Sequence, residues 1–145
     1  MVDEAVLVDA GALIALYNAK DPAHEACADV ARELPVGKAY TCWPVITEAA
    51  YLLRRYSKQR STLFAAVHAG EFQLLPLDGD ELPAIEEVFT TYHDQQVDLA
   101  DAALVHLGNR EAISTVFATD HRHFQVYRLN NGRAFRILPA DVPQT

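Results

Sequence analysis

Acidic side chains recur along this chain at the places where the sequence predicts strand ends and helix starts. Asp9 follows a short apolar run at residues 5–8, and Asp120 follows a second run at residues 115–118. In a parallel sheet, ligands bind where the carboxyl ends of strands meet loops, so acids at these points are candidate functional residues. The carboxylates predicted to meet at one edge of the sheet are Asp9, Glu48, Asp98, Asp101 and Asp120.

Each of these acids by itself has a structural explanation. An Asp after a strand is usually a turn former or a helix cap, and a helical Glu is usually solvated. Several carboxylates in one pocket, however, repel one another unless a cation neutralises them. Oxygen ligands without clustered His or Cys favour Mg²⁺ or Mn²⁺ over zinc. The set therefore predicts a divalent metal site of the kind that supports phosphodiester cleavage.

Asp101 is the most informative of the five acids. It shares a helical stripe with Leu104, Val105 and Gly108, so the side of the helix that packs inward also carries a carboxylate. Burying an unpaired charge is costly, which predicts a cation or a proton beside it. Asp98 precedes Asp101 by three residues and is expected to act as both helix cap and outer ligand.

Apolar patterning predicts strands that alternate with helices. Strands are expected at residues 5–8, 39–42, 72–75, 115–118 and 135–138, and helices at residues 12–17, 22–34, 44–53, 61–69, 80–92 and 99–107. Such alternation with short polar loops is typical of a three-layer α/β/α sandwich around a mainly parallel sheet. With 145 residues, the chain is expected to form a single domain spanning residues 1–145.

Composition restricts the cellular setting and the mode of binding. No apolar run is long enough to span a bilayer, and the chain opens with acidic residues where a secretory signal has basic ones, so we expect a cytoplasmic protein. Cys27 and Cys42 lie 15 positions apart without metal-finger spacing and predict reduced, buried thiols. A net charge of −8 argues against binding nucleic acid by charge alone.

Basic residues nevertheless concentrate in two segments. One covers residues 54–60, and the other comprises Arg122, Arg128, Arg133 and Arg136. Either segment is a solvated surface or a phosphate-binding one. Four other residues are interpreted structurally: His121 and His123 on a loop, Phe64 among the core aromatics, and Trp43 in the core or an interface, although a Trp at this point could also stack on RNA.

The order of these pieces resembles the PIN domain, in particular the VapC-type toxins of prokaryotic toxin–antitoxin pairs. The resemblance rests on segments around Asp9, Glu48, Asp101 and Asp120, namely residues 7–16, 47–49, 98–105 and 118–124, and spans nearly the whole chain in order. It implies an endoribonuclease that uses Mg²⁺ or Mn²⁺. One departure is that many relatives carry Thr or Ser just after the first Asp, where this chain has Ala10 and Gly11.

The resemblance also implies roles and partners. Asp9 and Asp101 would hold the ion most directly, Glu48 and Asp120 would complete the pocket and orient water, and Asp98 would be an additional acid. Arg122, Arg54 and Arg55 are candidates for contact with substrate phosphates. The implied partners are RNA, a cognate antitoxin whose basic side chains enter the acidic groove, and a second copy of the chain in a homodimer.

Three other functions compete with this one. A haloacid-dehalogenase-like phosphatase also places an Asp after the first strand, but it needs a second Asp where this chain has Gly11. A phospho-receiver domain needs an acidic pair at the first strand and a Lys after the last strands, and neither is present. The third alternative is a catalytically silent module that only binds RNA or a protein.

Overall fold

Five short strands form a parallel sheet at the centre of the protein. In the computed structural model, which describes residues 2–142, they are β1 (Val6–Val8), β2 (Ala39–Thr41), β3 (Gln73–Leu74), β4 (Thr115–Phe117) and β5 (Arg136–Leu138). The order across the sheet is β3-β2-β1-β4-β5, and every neighbouring pair is parallel. The predicted mainly parallel sheet is confirmed, while the predicted domain limits of 1 and 145 lie outside the described residues.

Helices cover the sheet and complete the predicted α/β/α sandwich. They are α1 (Ala10–Tyr17), α2 (His24–Glu33), α3 (Trp43–Leu52), α4 (Ser57–His68), α5 (Leu82–Thr91), α6 (Leu99–Glu111) and α7 (His121–Val126), with a 3₁₀ turn at Gly79–Glu81. Helix α1 contacts α2, α3 and α4, whereas α6 contacts α5 and α3. Within residues 2–142, the structure contains no helix with the length and apolar character of a membrane span.

The two central strands are buried because helices lie on both faces of the sheet. Val6, Leu7 and Val8 of β1 and Val116 and Phe117 of β4 are fully inaccessible to solvent. Central strands of a parallel sheet have no solvent-facing side, so they need continuous apolar sequence instead of alternation. This burial makes β1 and β4 a rigid support for the residues that follow them.

The strand order creates a crevice beside the end of β1. From β1 the chain continues to β2 and β3 on one side of the sheet, and β4 and β5 lie on the other side. The connections that follow β1 and β4 run in opposite directions, which leaves a crevice between the carboxyl ends of these two strands. Open α/β sheets bind ligands in such crevices. Asp9 and Asp120 follow these two strands.

The predicted end of α6 at Gly108 is wrong. The helix continues to Glu111 and ends at Ala112, which has a left-handed φ of 56°. Gly108 lies inside the helix because the packing leaves no room for a side chain there: a Cβ atom would stand 2.8 Å from the carbonyl oxygen of Ile113. The glycine therefore serves close packing and not helix termination.

Three predicted helix starts are also wrong, each by a few residues. Helix α2 begins at His24 and not at residue 22, since Asp21 accepts a hydrogen bond from the backbone of Ala23 in the preceding turn. Helix α4 begins at Ser57, four residues before the predicted start. Asp78, and not Asp80, caps the 3₁₀ turn that leads into α5. Short polar stretches contain several possible caps, and tertiary packing selects among them.

Both cysteines are buried and free, as predicted. Burial raises the pKa of the Cys27 thiol to about 12 and that of Cys42 to about 11. Thiolates are the reactive form of cysteine, so these two side chains pack as small apolar groups at neutral pH.

Candidate active site

Asp9 is fixed in the crevice by the sheet itself. Its backbone N–H donates to the carbonyl of Phe117 in β4 at 2.9 Å, and its own carbonyl accepts from Leu13 in α1 at 3.2 Å. The hydroxyl of Thr41 at the end of β2 donates to the carbonyl of Val8 at 3.0 Å. Asp9 is thus held at the junction of three strands and a helix, which leaves its side chain little freedom to move.

The carboxylate of Asp9 is buried without adequate compensation. The residue is only 8% exposed, and among the described residues Oδ1 has no hydrogen-bond partner. Burial raises the pKa of Asp9 well above its usual range, and the nearby charges of Asp101, Glu48 and Asp98 raise it further, although a hydrogen bond from the Ala10 backbone opposes the rise. A buried carboxylate in such surroundings is stabilised only by a proton or by a cation.

Asp98 and Asp101 lie at the start of α6. The side chain of Asp98 caps the helix by accepting a hydrogen bond from the backbone N–H of Asp101 at 2.8 Å, as predicted. Asp101 is 6% exposed and faces the crevice. Burial raises its pKa to about 6, with further contributions from Asp98 and Asp120, although a hydrogen bond from Tyr127 and the nearby His123 oppose the rise.

Glu48 reaches the same crevice from α3. Burial raises its pKa to about 7, and the neighbouring charge of Asp98, a hydrogen bond to Asp98 and the charge of Asp101 all act in the same direction. These couplings place Glu48 beside Asp98 and Asp101 although it is some fifty residues distant in sequence. Coulombic coupling of this kind requires carboxylates to be close neighbours.

Asp120 lies at the more open side of the crevice. Its side chain caps α7 by accepting from the backbone N–H of Arg122 at 3.2 Å. Its Oδ2 lies 3.1 Å from Nδ1 of His123, which is also 3.8 Å from Asp101 Oδ2. The coupling of Asp120 to Asp101 brings the last predicted acid into the group.

Two residues in contact with the acids were missed by sequence reasoning. The hydroxyl of Tyr127, which is fully buried, donates to Oδ2 of Asp101 at 2.8 Å. His121 and His123 lie on α7 and not on a loop, so that prediction is wrong, and His123 bridges Asp120 and Asp101. The spacing of three residues between Asp120 and His123 is a helical signal that could have indicated the contact. No local pattern indicates Tyr127.

The candidate phosphate-binding arginines occupy different places around the crevice. The Arg122 side chain is 82% exposed and its Nε lies 3.7 Å from Asp120 Oδ1. Arg54 and Arg55 follow α3, the helix that carries Glu48, and both are exposed. The Arg54 guanidinium lies over the ring of Tyr51, 4.2 Å from its centroid. Arg122 is therefore adjacent to the acids, whereas Arg54 and Arg55 lie beyond the carboxyl end of α3.

This chain lacks the Ser or Thr hydroxyl that many relatives carry just after the first Asp, and Thr119 lies close to that position. A Cβ atom placed on Gly11 would stand 2.3 Å from Oγ1 of Thr119, so the hydroxyl of Thr119 occupies the space that a side chain at position 11 would need. A serine or threonine at position 11 would therefore collide with Thr119 unless one of them moved.

The donor set suits a divalent cation in kind and in charge. All five acids offer carboxylate oxygens, which Mg²⁺ and Mn²⁺ prefer, and one buried oxygen of Asp9 has no partner among the described residues. Across residues 2–142, however, no three His, Cys, Asp or Glu side chains are arranged to hold one ion as they stand. Three of these side chains would have to move closer together to hold one ion.

Comparison with known proteins identifies the family. The model of the PIN domain matches residues 6–129, which include all five acids. The chain belongs to the PIN-domain family. It is 29% identical over 139 residues to "Ribonuclease VapC26" of Mycobacterium tuberculosis (strain ATCC 25618 / H37Rv), a match covering 92% of this chain and 100% of that protein.

A solved structure supports the PIN fold. The chain superposes on the crystal structure of Mycobacterium tuberculosis VapC20, described as a sarcin-ricin loop cleaving toxin, with a TM-score of 0.73 and 19% identity. The match covers 80% of this chain and 90% of VapC20. At this identity the likeness concerns the fold alone, a PIN-type α/β/α sandwich.

Proposed function

We propose that this PIN-domain protein is a metal-dependent endoribonuclease and the toxin of a type II toxin–antitoxin pair. The observation that carries the proposal is the buried Asp9 carboxylate, whose unpaired Oδ1 is electrostatically coupled to Asp101, Glu48 and Asp98. A purely structural site does not keep several mutually repelling carboxylates together, because each one lowers stability when ionised. The 29% identity to a protein named as a ribonuclease supports the same function.

In this proposal Asp9 and Asp101 are the principal ligands of Mg²⁺ or Mn²⁺, and Glu48 and Asp120 complete the site. Asp9 and Asp101 are the two most deeply buried acids, so they gain most from neutralisation. Asp98 holds the start of α6 through its cap and keeps Asp101 directed into the crevice. A bound divalent ion polarises the phosphate and lowers the pKa of a water molecule so that hydroxide is available at neutral pH.

The protein's own groups provide binding and orientation. Glu48 and Asp120 are more exposed than Asp9 and Asp101, so they are placed to accept hydrogen bonds from an attacking water. We propose that Arg122, beside Asp120, contacts a substrate phosphate, and that Arg54 and Arg55, which are exposed beyond the end of α3, contact phosphates farther along the RNA. The single domain of residues 1–145 that we propose needs no second domain for this chemistry.

The negative charge of the site restricts the kind of antitoxin that can inhibit the enzyme. A cytoplasmic antitoxin that inhibits this enzyme must bring Arg or Lys into a pocket dominated by carboxylates. We also propose that the chain forms a homodimer, which sedimentation velocity measures directly. A second copy would place two acidic crevices in one particle.

The test is cleavage of a synthetic RNA of about 30 nucleotides that contains an unpaired loop. The full chain should cut it with Mg²⁺ or Mn²⁺ and should not cut it with excess chelator. A small phosphate monoester, tested in parallel, should remain intact, because the phosphatase alternative lacks its second Asp at Gly11. Hydrolysis of the monoester without RNA cleavage would establish the phosphatase instead.

Tyr127→Phe should weaken metal binding. The change removes the hydroxyl that donates to Asp101 Oδ2 at 2.8 Å, and this hydrogen bond both orients the carboxylate and favours its ionised form. Loss of such an orienting contact typically costs about tenfold in metal affinity. Isothermal titration of the chelator-treated protein with Mn²⁺ measures the effect.

Tyr92→Phe is the matched control. Its hydroxyl accepts from the backbone of Arg128, and its ring packs edge-on against Tyr127 with centroids 5.0 Å apart, so it belongs to the same cluster without touching Asp101. This variant should bind Mn²⁺ like the wild type. Equal weakening in both variants would mean that the aromatic cluster, and not the hydrogen bond to Asp101, supports the site.

A further inference from the structure

An open recess lies directly beside the acids, between α3 and the start of α6. Its volume is about 550 Å³. Its walls combine acidic side chains, Glu48 and Asp98, with aromatic and apolar ones; the latter are Trp43, Pro44, Tyr51 and Leu99. The recess is therefore continuous with the candidate active site, and substrate bound at the acids would extend across it.

The two aromatic rings of this recess are unusually exposed. Trp43 is 64% exposed and Tyr51 is 63% exposed, although large aromatic side chains are normally buried. The sequence predicts Trp43 in the core or an interface, and its exposure excludes the core. The residues lie at the two ends of α3, eight positions apart, which corresponds to about 12 Å along the helix axis. Both line the same open space.

A positive charge borders the same surface. The Arg54 guanidinium lies over the Tyr51 ring at 4.2 Å and donates to the Tyr51 carbonyl at 2.9 Å. These two contacts hold the ring and the cation together. The surface thus offers two exposed aromatic rings and a cation, the two features by which proteins bind single-stranded nucleic acid, with Glu48 and Asp98 alongside.

We propose that Trp43 and Tyr51 stack on unpaired bases of the RNA next to the phosphate that is cut. This inference rests on the proposed nuclease function and specifies its substrate: a single-stranded segment whose bases are free to leave the helix stack. Bases in a duplex are stacked on each other and cannot present a face to the protein. Stacking is also independent of charge, so it supplies affinity to a protein whose net charge of −8 repels the RNA backbone.

The composition of the recess favours RNA over a protein partner. An interface with a second copy or another protein has a core depleted in charge. Here the lining, although mostly apolar, includes the carboxyl groups of Glu48 and Asp98, and Thr47 lies between Trp43 and Tyr51 on the same helix. A base stacked on either ring keeps its polar edge free to meet these groups.

The chain contains a single tryptophan, so selectively excited tryptophan fluorescence reports on the surroundings of Trp43 alone. The wild-type protein in excess chelator is titrated with a ten-nucleotide single-stranded RNA, with its duplex, and with an abasic strand of equal length and charge. The single strand should quench the emission of Trp43, and the duplex and the abasic strand should not. Equal quenching by the abasic strand would overturn the proposal, because it would show that the backbone alone is bound.

Substitutions then test whether stacking contributes to affinity. Trp43→Ala and Tyr51→Ala should each weaken binding of the labelled single strand about tenfold or more by fluorescence anisotropy, while Trp43→Phe should retain most of the affinity. In the cleavage assay both alanine variants should raise KM and leave kcat nearly unchanged, because the rings contact bases and not the reacting phosphate. Phe64→Ala is the matched control, since Phe64 is a half-exposed aromatic of α4 that borders Trp43 on the side away from the acids.

The outcomes separate this proposal from the proposed function. If the wild type cuts RNA and the alanine variants bind and cut equally well, the stacking proposal is wrong and the nuclease stands. If no RNA is cut under any metal condition, the nuclease assignment fails whatever the fluorescence shows. If Trp43→Ala changes the sedimentation of the protein and leaves RNA affinity intact, the recess is a protein interface and the stacking proposal is overturned.

Discussion

Asp9→Asn is expected to abolish RNA cleavage and, at the same time, to stabilise the metal-free protein. Cleavage should fall by roughly 100- to 1000-fold, the scale associated with losing one main electrostatic contribution to catalysis. The free energy of unfolding in chelator should rise by about 1 to 3 kcal/mol. The reason is that the buried carboxylate is desolvated and repelled by Asp101, Glu48 and Asp98, whereas a neutral amide carries no charge for them to repel.

Gel-based cleavage and urea unfolding at pH 7.5 measure the two effects on the same preparation. Asp29→Asn is a matched control, because Asp29 is an exposed acid on α2 that pairs with Arg32 and is not coupled to the crevice. It should change neither quantity appreciably. A metal-free Asp9→Asn protein that is less stable than the wild type would contradict the view that Asp9 is a strained, uncompensated charge.

The stability of the metal-free protein should fall as the pH rises from 5 to 8. Burial and neighbouring acids raise the pKa of Glu48 from 4.5 to about 7 and that of Asp101 from 3.8 to about 6. In this range the folded state keeps protons that the unfolded state has released, so deprotonation on rising pH destabilises the fold. We expect the free energy of unfolding to fall by about 1 to 2 kcal/mol over this pH range. This is less than the two pKa shifts would give if they were converted fully into free energy, because Glu48 is partly solvated.

Urea unfolding at several pH values in chelator, and again with saturating Mn²⁺, tests this expectation. The ion should flatten or reverse the fall, since it binds the ionised carboxylates. The pKa values of Glu4 and Glu81 are lowered to about 2, so their contribution to the free energy of unfolding changes only below about pH 4.5. They therefore do not affect the measurement between pH 5 and 8. A metal-free protein whose stability is constant or rises between pH 5 and 8 would show that the acids do not repel one another in solution.

Local sequence patterns were sufficient for the main elements and for the acids. The apolar runs before Asp9 and Asp120 predict buried parallel strands because helices on both faces demand continuous apolar sequence. The Asp98 cap follows from its position before an apolar helix, and the structure confirms it. The predicted ends of helices were less accurate, as at Gly108. A glycine in the sequence can either end a helix or allow close packing inside one, and the local pattern does not distinguish the two.

The contacts that complete the site could not be read from the chain. Tyr127 reaches Asp101, and Glu48 reaches Asp98, across separations that no periodicity describes. Phe64 was predicted in the core and is half-exposed, since the pattern of apolar residues does not say which face of α4 lies uncovered. Such features depend on which elements become neighbours, and this is decided by packing of the whole fold.

The sequence by itself determined the class of fold, the residues that carry negative charge at strand ends and helix starts, and the hard-oxygen character of the site. Only the tertiary structure decided how deeply each acid is buried, which of them are coupled, and that Trp43 and Tyr51 face an open recess beside them. The physical reason is the distance along the chain over which each interaction acts. Propensity, capping and apolar periodicity act between near neighbours in the chain, whereas desolvation and Coulombic coupling depend on distances in space.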